Sequence, residues 1–172
     1  ARIRSAPQGY VELNGEAALM QGEPIISPLT MTPCCWYNYR VERRHDKGWR
    51  TVRSGRSDGL FLLRDETGEC IIDPEGADIS PNEKNVWYDD MAHPVLSAHY
   101  TPHHKESGIV MLDMAAKLSN DLGSSRYRYS EETIYPGDRL YAIGLFKSFG
   151  ETDRMAMRSV AIIMKTATRY RA

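Results

Sequence analysis

Three groups of side chains have types and spacings that could do chemistry: adjacent thiols, a cluster of imidazoles and a run of guanidiniums. Cys34 and Cys35 stand side by side in "SPLTMTPCCWYNYRVERR", Ser27 to Arg44. As a nucleophile either thiol would need a neighbouring base and a depressed pKa, and the sequence offers only distant histidines. As metal ligands, neighbours on an extended strand point to opposite faces and cannot readily share one ion. From Cys35 onward every second residue, Cys35, Tyr37, Tyr39 and Val41, is apolar or aromatic. The other set, Cys34, Trp36, Asn38, Arg40 and Glu42, turns polar along its length. This alternation predicts a long β-strand in which Cys35 serves as a small hydrophobe.

The imidazoles lie in "HYTPHHK", where His99, His103 and His104 are spaced as candidate metal ligands. Pro102 breaks the helix that would place His99 and His103 on one face, and no carboxylate or cysteine is fixed nearby. A solvated loop is the simpler reading, so no metal and no cofactor are assigned.

The guanidiniums fall in "RVERRHDKGWRTVRSGR", which carries Arg40, Arg43, Arg44, Arg50, Arg53 and Arg56 around Trp49. Folded as a hairpin, several of them would project from one surface, and they are the candidate binding residues together with Trp49. Basic and aromatic side chains on a small β-barrel suit single-stranded nucleic acid or an anionic membrane surface. They equally suit a solvated hairpin whose charges guard a sheet edge. The whole chain does not favour a polyanion, since 22 Lys+Arg against 23 Asp+Glu give a formal net charge of −1. Nucleic acid is therefore not the expected partner. There is no G-x-x-x-x-G-K loop, no G-x-G-x-x-G turn and no G-x-S-x-G elbow, and nothing argues for an enzyme.

The elements that must position these groups are mostly strands. The 172 residues, 41% hydrophobic and 26% charged, fit one globular domain. The longest apolar runs, such as Val160 to Met164, fall far short of the ~20 residues of a membrane span, so a soluble chain is expected. It begins at Ala1, which suggests processing or excision from something longer, and its three cysteines fit a reducing setting. "GYVELNGEAAL" alternates as a strand with a bend at Gly15, and "GEPIISPLTMTP" is an irregular connection. "HDKG" reverses the chain into "WRTVRS". "LFLLRD" and "ECIIDP" form a hairpin in which Gly68 is expected at positive φ. Tyr135-Pro136-Gly137-Asp138 makes a tight turn between two further strands. Residues 78–123 read as an aperiodic insertion carrying a helix near 108–120. Val160, Ile163, Met164 and Ala167 share one face of a C-terminal helix over 151–172, although "SVAIIM" also reads as a strand.

In their order, the "SPLTxTPCCWYxYRVE" core, the "DxTGxCxIDPxGA" hairpin and the "YxEExIxPGDxLYxIG" ending resemble the GIDE domain over about Ala6 to Gly144. That domain is the membrane-adjacent module of MULAN-type mitochondrial ubiquitin ligases and of bacterial and archaeal membrane proteins. The resemblance implies a mainly β domain over 6–150 whose 151–172 segment leads toward a membrane span. In the ligases a RING domain carries the catalysis, and a RING needs paired zinc ligands such as C-x-x-C. Cys34, Cys35 and Cys70 supply none, so ligase activity is not expected in this chain.

The expected architecture is thus mainly β, a distorted barrel or sandwich with one inserted helix and a helical C-terminal segment. Its core should hold Tyr37, Tyr39, Val41, Leu62, Ile71, Leu140 and Ile143. The expected function is non-catalytic recognition or assembly beside a membrane, with a protein partner or a second copy as ligand, as in the recruiting domain of a ubiquitin-ligase-like protein. The alternative is an OB-like module that binds nucleic acid or anionic lipid through the Arg40–Arg56 hairpin.

Overall fold

The computed structural model describes residues 1–81, 84–96, 127–149 and 154–164. These residues form β1 (Gly9–Ala18), β2 (Ile25–Ile26), β3 (Pro33–Cys34), β4 (Trp36–His45), β5 (Gly48–Arg56) and β6 (Phe61–Asp65). They continue as β7 (Gly68–Asp73), β8 (Asp78–Ser80), β9 (Lys84–Asp89), β10 (Tyr127–Ile134), β11 (Arg139–Phe149) and β12 (Arg154–Met164), with short 3-10 turns at Ile3–Ser5 and Pro94–Leu96.

Five of the strands close into a barrel in the order β1-β6-β7-β12-β11, with β11 returning to β1. Every contact is antiparallel except β7 with β12, which is parallel. This is the Greek-key plan of OB-type barrels, and β8 extends it as a short parallel neighbour of β12. Closure requires close backbone approaches at two glycines. A Cβ on Gly15 would sit 2.5 Å from the Arg64 carbonyl oxygen, and one on Gly144 would collide with the Arg158 carbonyl oxygen. Gly144 lies where Ile143 pairs with Ala161 but Gly144 pairs with Ser159, leaving Val160 as the extra residue of a bulge. Such a bulge bends the strand and sharpens its twist, which helps the barrel close.

The second body is an antiparallel sheet in the order β5-β4-β10-β9. It is inserted through two barrel connections, since β4 and β5 lie between β1 and β6 while β9 and β10 lie between β7 and β11. Each body has its own core. Ile3, Leu13, Phe61, Leu63, Ile72, Leu140, Phe146 and Met157 fill the barrel. Ile25, Leu29, Tyr37, Tyr39, Val41, Tyr127 and Tyr129 pack on the inner face of the sheet with Val95 and Leu96. The bodies meet where Trp36 pairs with Ile134, and both of these residues belong to the barrel core.

Both expected hairpins form, with an altered turn in the second. Gly68 is not at positive φ. Instead Asp65 organises the Glu66-Thr67 reversal, its Oδ1 accepting from the Thr67 N–H (2.7 Å), the Thr67 hydroxyl and the Gly68 N–H, while its Oδ2 accepts from the Ile3 N–H (2.8 Å). Burial would raise the Asp65 pKa, but these hydrogen bonds outweigh it and hold the carboxyl below its ordinary value. The Tyr135–Asp138 turn forms as expected, with Gly137 at φ 92°.

Other expectations are corrected. Arg154–Met164 is a strand rather than a helix; its inward residues are Met157, Ser159 and Ile162, while of the expected helical face Ile163 is exposed and Val160 is the extra residue of the bulge. Within the expected aperiodic insertion, β8 and β9 are strands, while the helix near 108–120 and the chain after 164 lie outside the described residues. Leu62, Ile71 and Ile143 face outward and are half-buried, whereas Phe61, Leu63, Cys70, Ile72 and Ala142 face the barrel core. Tyr37, Tyr39, Val41 and Leu140 are buried as expected.

Candidate functional site

The cysteines divide between the two cores. Cys35 belongs to the barrel and Cys34 to the sheet, so the opposite orientation of neighbours on an extended chain places one thiol in each. All three cysteines are fully buried and unpaired. Burial pushes each thiol up to about 12, with Glu131 adding to the effect at Cys34 and Asp138 at Cys35, which is the opposite of what a nucleophile or metal ligand needs.

Ser27 to Thr32 is built as a tight loop fastened to the sheet. The Ser27 N–H donates to the Thr32 carbonyl (2.9 Å), and Met31 takes φ 54°. The buried carboxylate of Glu131, on the inner face of β10, accepts from the Leu29 N–H (3.0 Å) and the Thr30 hydroxyl (2.6 Å). On the following peptide, the Leu29 carbonyl accepts from His93 Nε2 (3.0 Å). The Val95 N–H donates to His93 Nδ1 (3.1 Å), which fixes the Nε2–H tautomer. Tyr129 completes the clamp, accepting from the His93 N–H (3.0 Å) and donating to the Met91 carbonyl (2.8 Å). Burial raises its phenol to about 12. "SPLT" and the "EE" of β10 therefore form one structural unit, although about a hundred residues separate them.

The arginines of the hairpin divide between two faces. Directly paired residues on neighbouring strands share a face, so the outer face of the sheet follows from the pairings of β4. Asn38 stands between Arg56 and Glu132, Arg40 between Ser54 and Ser130, and Glu42 between Thr51 and Arg128, while Arg44 pairs with Trp49. On the far strand, Lys84, Val86 and Tyr88 continue these rows. Thus Arg40, Arg44, Trp49 and Arg56 gather on one surface, together with Arg128 and Lys84. Arg43, Arg50 and Arg53 point the other way, separated by the bulge that makes Val52 the extra residue of β5. Arg53 is buried, its Nε donating to the Tyr39 hydroxyl (3.2 Å), and so is not a contact residue as expected.

Arg128 is the centre of the outer face and was not singled out by sequence as part of it. Its Nε and Nη2 donate to the two oxygens of Glu42 at 2.7 and 2.8 Å, and its guanidinium lies 4.7 Å from the Trp49 ring centroid. Trp49 in turn packs against Tyr88 with centroids 5.7 Å apart. The hydrogen bonds from Arg128 hold the Glu42 carboxyl below its ordinary range, against the opposing effect of burial. Around this locked cluster Arg40, Arg44 and Lys84 are exposed, as are Val86 and Tyr88 at 46% and 57%. Arg56 lies over the Trp36 ring and donates to the Ala77 carbonyl. The face holds five cationic side chains against Glu42 and Glu132, in a chain whose net charge is −1.

The barrel surface differs. Its β6–β7 outer face, the position at which OB-type barrels hold oligonucleotides, presents Leu62, Arg64, Glu69, Ile71 and Asp73, with Arg64 paired to Glu69 at 2.7 Å. An open cleft of about 370 Å³ between β1, the β6–β7 turn and β11 is lined by both signs of charge, including Glu16, Arg64, Glu66 and Arg139. Among the described residues no group of three His, Cys, Asp or Glu side chains could hold a metal ion; His99, His103 and His104 lie outside those residues. Among the described residues, too, no helix is long and apolar enough to cross a membrane.

No curated protein and no solved structure matches the chain significantly. The family model described as GIDE, E3 ubiquitin ligase, matches residues 37–159, from the first tyrosine of β4 into β12 and so across both bodies. The chain belongs to the GIDE family.

Proposed function

We propose that this chain is a non-catalytic recognition domain of a membrane-embedded protein, with the barrel as scaffold and the outer face of the β5-β4-β10-β9 sheet as the surface that docks an acidic stretch of a protein partner. The observation that carries this reading is the Glu42–Arg128–Trp49–Tyr88 cluster, rigid and surrounded by exposed cations. Trp, Tyr and Arg held in fixed positions are the side chains that dominate protein–protein binding energies, because little entropy is lost when they are covered. The membrane setting and the link to ubiquitin transfer rest on the family resemblance. The three buried thiols with raised pKa values support a role other than thiol chemistry.

A nucleic acid or an anionic lipid layer would suit this face less well. Glu42 already neutralises Arg128 and Glu132 stands among the remaining cations, so a dense array of phosphates would find little net positive charge there, whereas a protein segment can place its own cation opposite Glu132.

The test is charge reversal in the full-length protein. Arg40→Glu with Arg44→Glu should lower recovery of the co-purified partner at least tenfold, while Arg64→Glu with Arg139→Glu on the barrel leaves it unchanged. Equal losses from the two pairs, or loss only from the barrel pair, would contradict the assignment. The isolated chain should discharge ubiquitin from a loaded conjugating enzyme no faster than buffer does; faster discharge would show catalysis in the domain.

A further inference from the structure

The four-stranded sheet has two edges, and they are built differently. β5 carries a bulge at Val52 and an exposed Arg50, so a second β5 brought alongside would meet an irregular ladder and like charge. β9 has neither guard. Its six residues, Lys84–Asp89, pair with β10 in unbroken register, without proline or glycine, and expose Val86 and Tyr88. Among the described residues no strand pairs with its other side. Such an edge presents a row of backbone donors and acceptors ready to accept another strand.

We propose that this edge pairs antiparallel with the same edge of a second copy of the chain, joining two four-stranded sheets into one continuous sheet across a two-fold axis at Trp87. The occupant is identified by self-complementarity. A two-fold perpendicular to the sheet keeps each face continuous, so residues of equal parity must stand opposite one another. With the axis at Trp87, Val86 faces Tyr88, Asn85 faces Asp89, and Lys84 faces Asp90 of the other copy. The exposed apolar side chains thereby cover one another on the outer face, and the cation at one end of the strand meets the anion beyond the other. On the inner face the two Trp87 rings, each already stacked on a Tyr129 at 5.7 Å, extend one aromatic layer. The outer faces of the two copies would also become contiguous and offer a partner two docking surfaces in fixed relation. This inference does not depend on the partner assigned to that face, because it concerns the edge.

The full chain at high micromolar concentration should sediment at twice its monomer mass. Val86→Lys, at an exposed position, should weaken the dimer at least tenfold with the thermal unfolding of the monomer unchanged, and Lys84→Glu should also weaken it by opposing Asp90. The paired substitution Asn85→Cys with Asp89→Cys should give a disulfide-linked dimer under mild oxidation, since the two positions face each other only across the axis, whereas Arg50→Cys on β5 should not. A monomer at these concentrations, a dimer indifferent to Val86→Lys, or cross-linking through Arg50→Cys would each overturn the proposal. The outer-face charge reversals should leave the dimer intact, so failure of either reading can be told from failure of the other.

Discussion

The barrel and the four-stranded sheet solve the same problem, burying one side of a twisted sheet, in opposite ways. The barrel closes on itself, so every strand of the ring has two neighbours, its core among the described residues is dominated by apolar side chains with the Ser159 hydroxyl and the Trp36 indole N–H as buried polar groups, and the outside is an ordinary mixture of paired charges such as Arg64 with Glu69. The sheet is covered on its inner face by the Ser27–Thr32 loop and the Pro94–Leu96 turn, and among the described residues it has two edges that pair with no further strand and an outer face on which Arg40, Arg44, Lys84, Val86 and Tyr88 are exposed. Its interior is also more polar, holding the Glu131 carboxylate and the Arg53 guanidinium. Closure leaves the ring of the barrel without an open edge, whereas the sheet holds its cover by the hydrogen bonds of Glu131 and His93.

If closure is what stabilises the barrel, the largest effect should come from blocking it. Gly144→Val forces a side chain against the Arg158 carbonyl and should destabilise the fold by about 3 kcal/mol or more, read as a shifted denaturant midpoint. If hydrogen bonds hold the cover of the sheet, Glu131→Ala leaves the Leu29 N–H and the Thr30 hydroxyl without their acceptor and should cost about 2–3 kcal/mol. Proteolysis should then cut first near Ser27–Thr32 while the barrel stays protected. A smaller effect distinguishes the outer face. Glu42 has a folded pKa below its unfolded value of about 4.3, so its contribution is complete above that value and is lost as pH falls through the folded one. The stability gap between the native chain and Glu42→Gln should be full near neutrality and should close in acid. Smallest of all, Arg40→Ala and Arg44→Ala should change stability by no more than about 0.5 kcal/mol, since both side chains are exposed. A larger loss would make these arginines structural.

What the sequence made legible follows how local each determinant is. The long strand from Trp36, the reversal at His45–Gly48 and the Pro136-Gly137 turn rest on residues close in the chain, and all three are present. Facing was legible where apolar and polar residues alternate, as along Tyr37, Tyr39 and Val41. It was not in "FLLR" and "CII", where consecutive apolar residues supply both the core and a half-buried outer face, so Leu62 and Ile71 were placed on the wrong side. The two bulges upset periodicity locally: in β12 the extra Val160 shifts the inward set to Met157, Ser159 and Ile162, and in β5 the extra Val52 sets Arg50 and Arg53 on the same face although they are three residues apart. The family resemblance held over residues 37–159, yet its motifs carried no hint that Glu131 grips "SPLT", because that contact exists only after distant strands pair. Arg128 stands in no motif that marks it, and only the β10–β4 register sets it on Glu42 beneath Trp49.

The division into scaffold and docking surface is tested most directly by photo-crosslinking in the native membrane. The full-length protein would carry a light-activated side chain at Thr51 on the outer face of the sheet, or at Glu12 on the outside of the barrel. A discrete protein adduct from Thr51 with none from Glu12, lost on introducing Arg40→Glu and Arg44→Glu, is the predicted result. Adducts only from Glu12, or the same adduct from both positions, would contradict it.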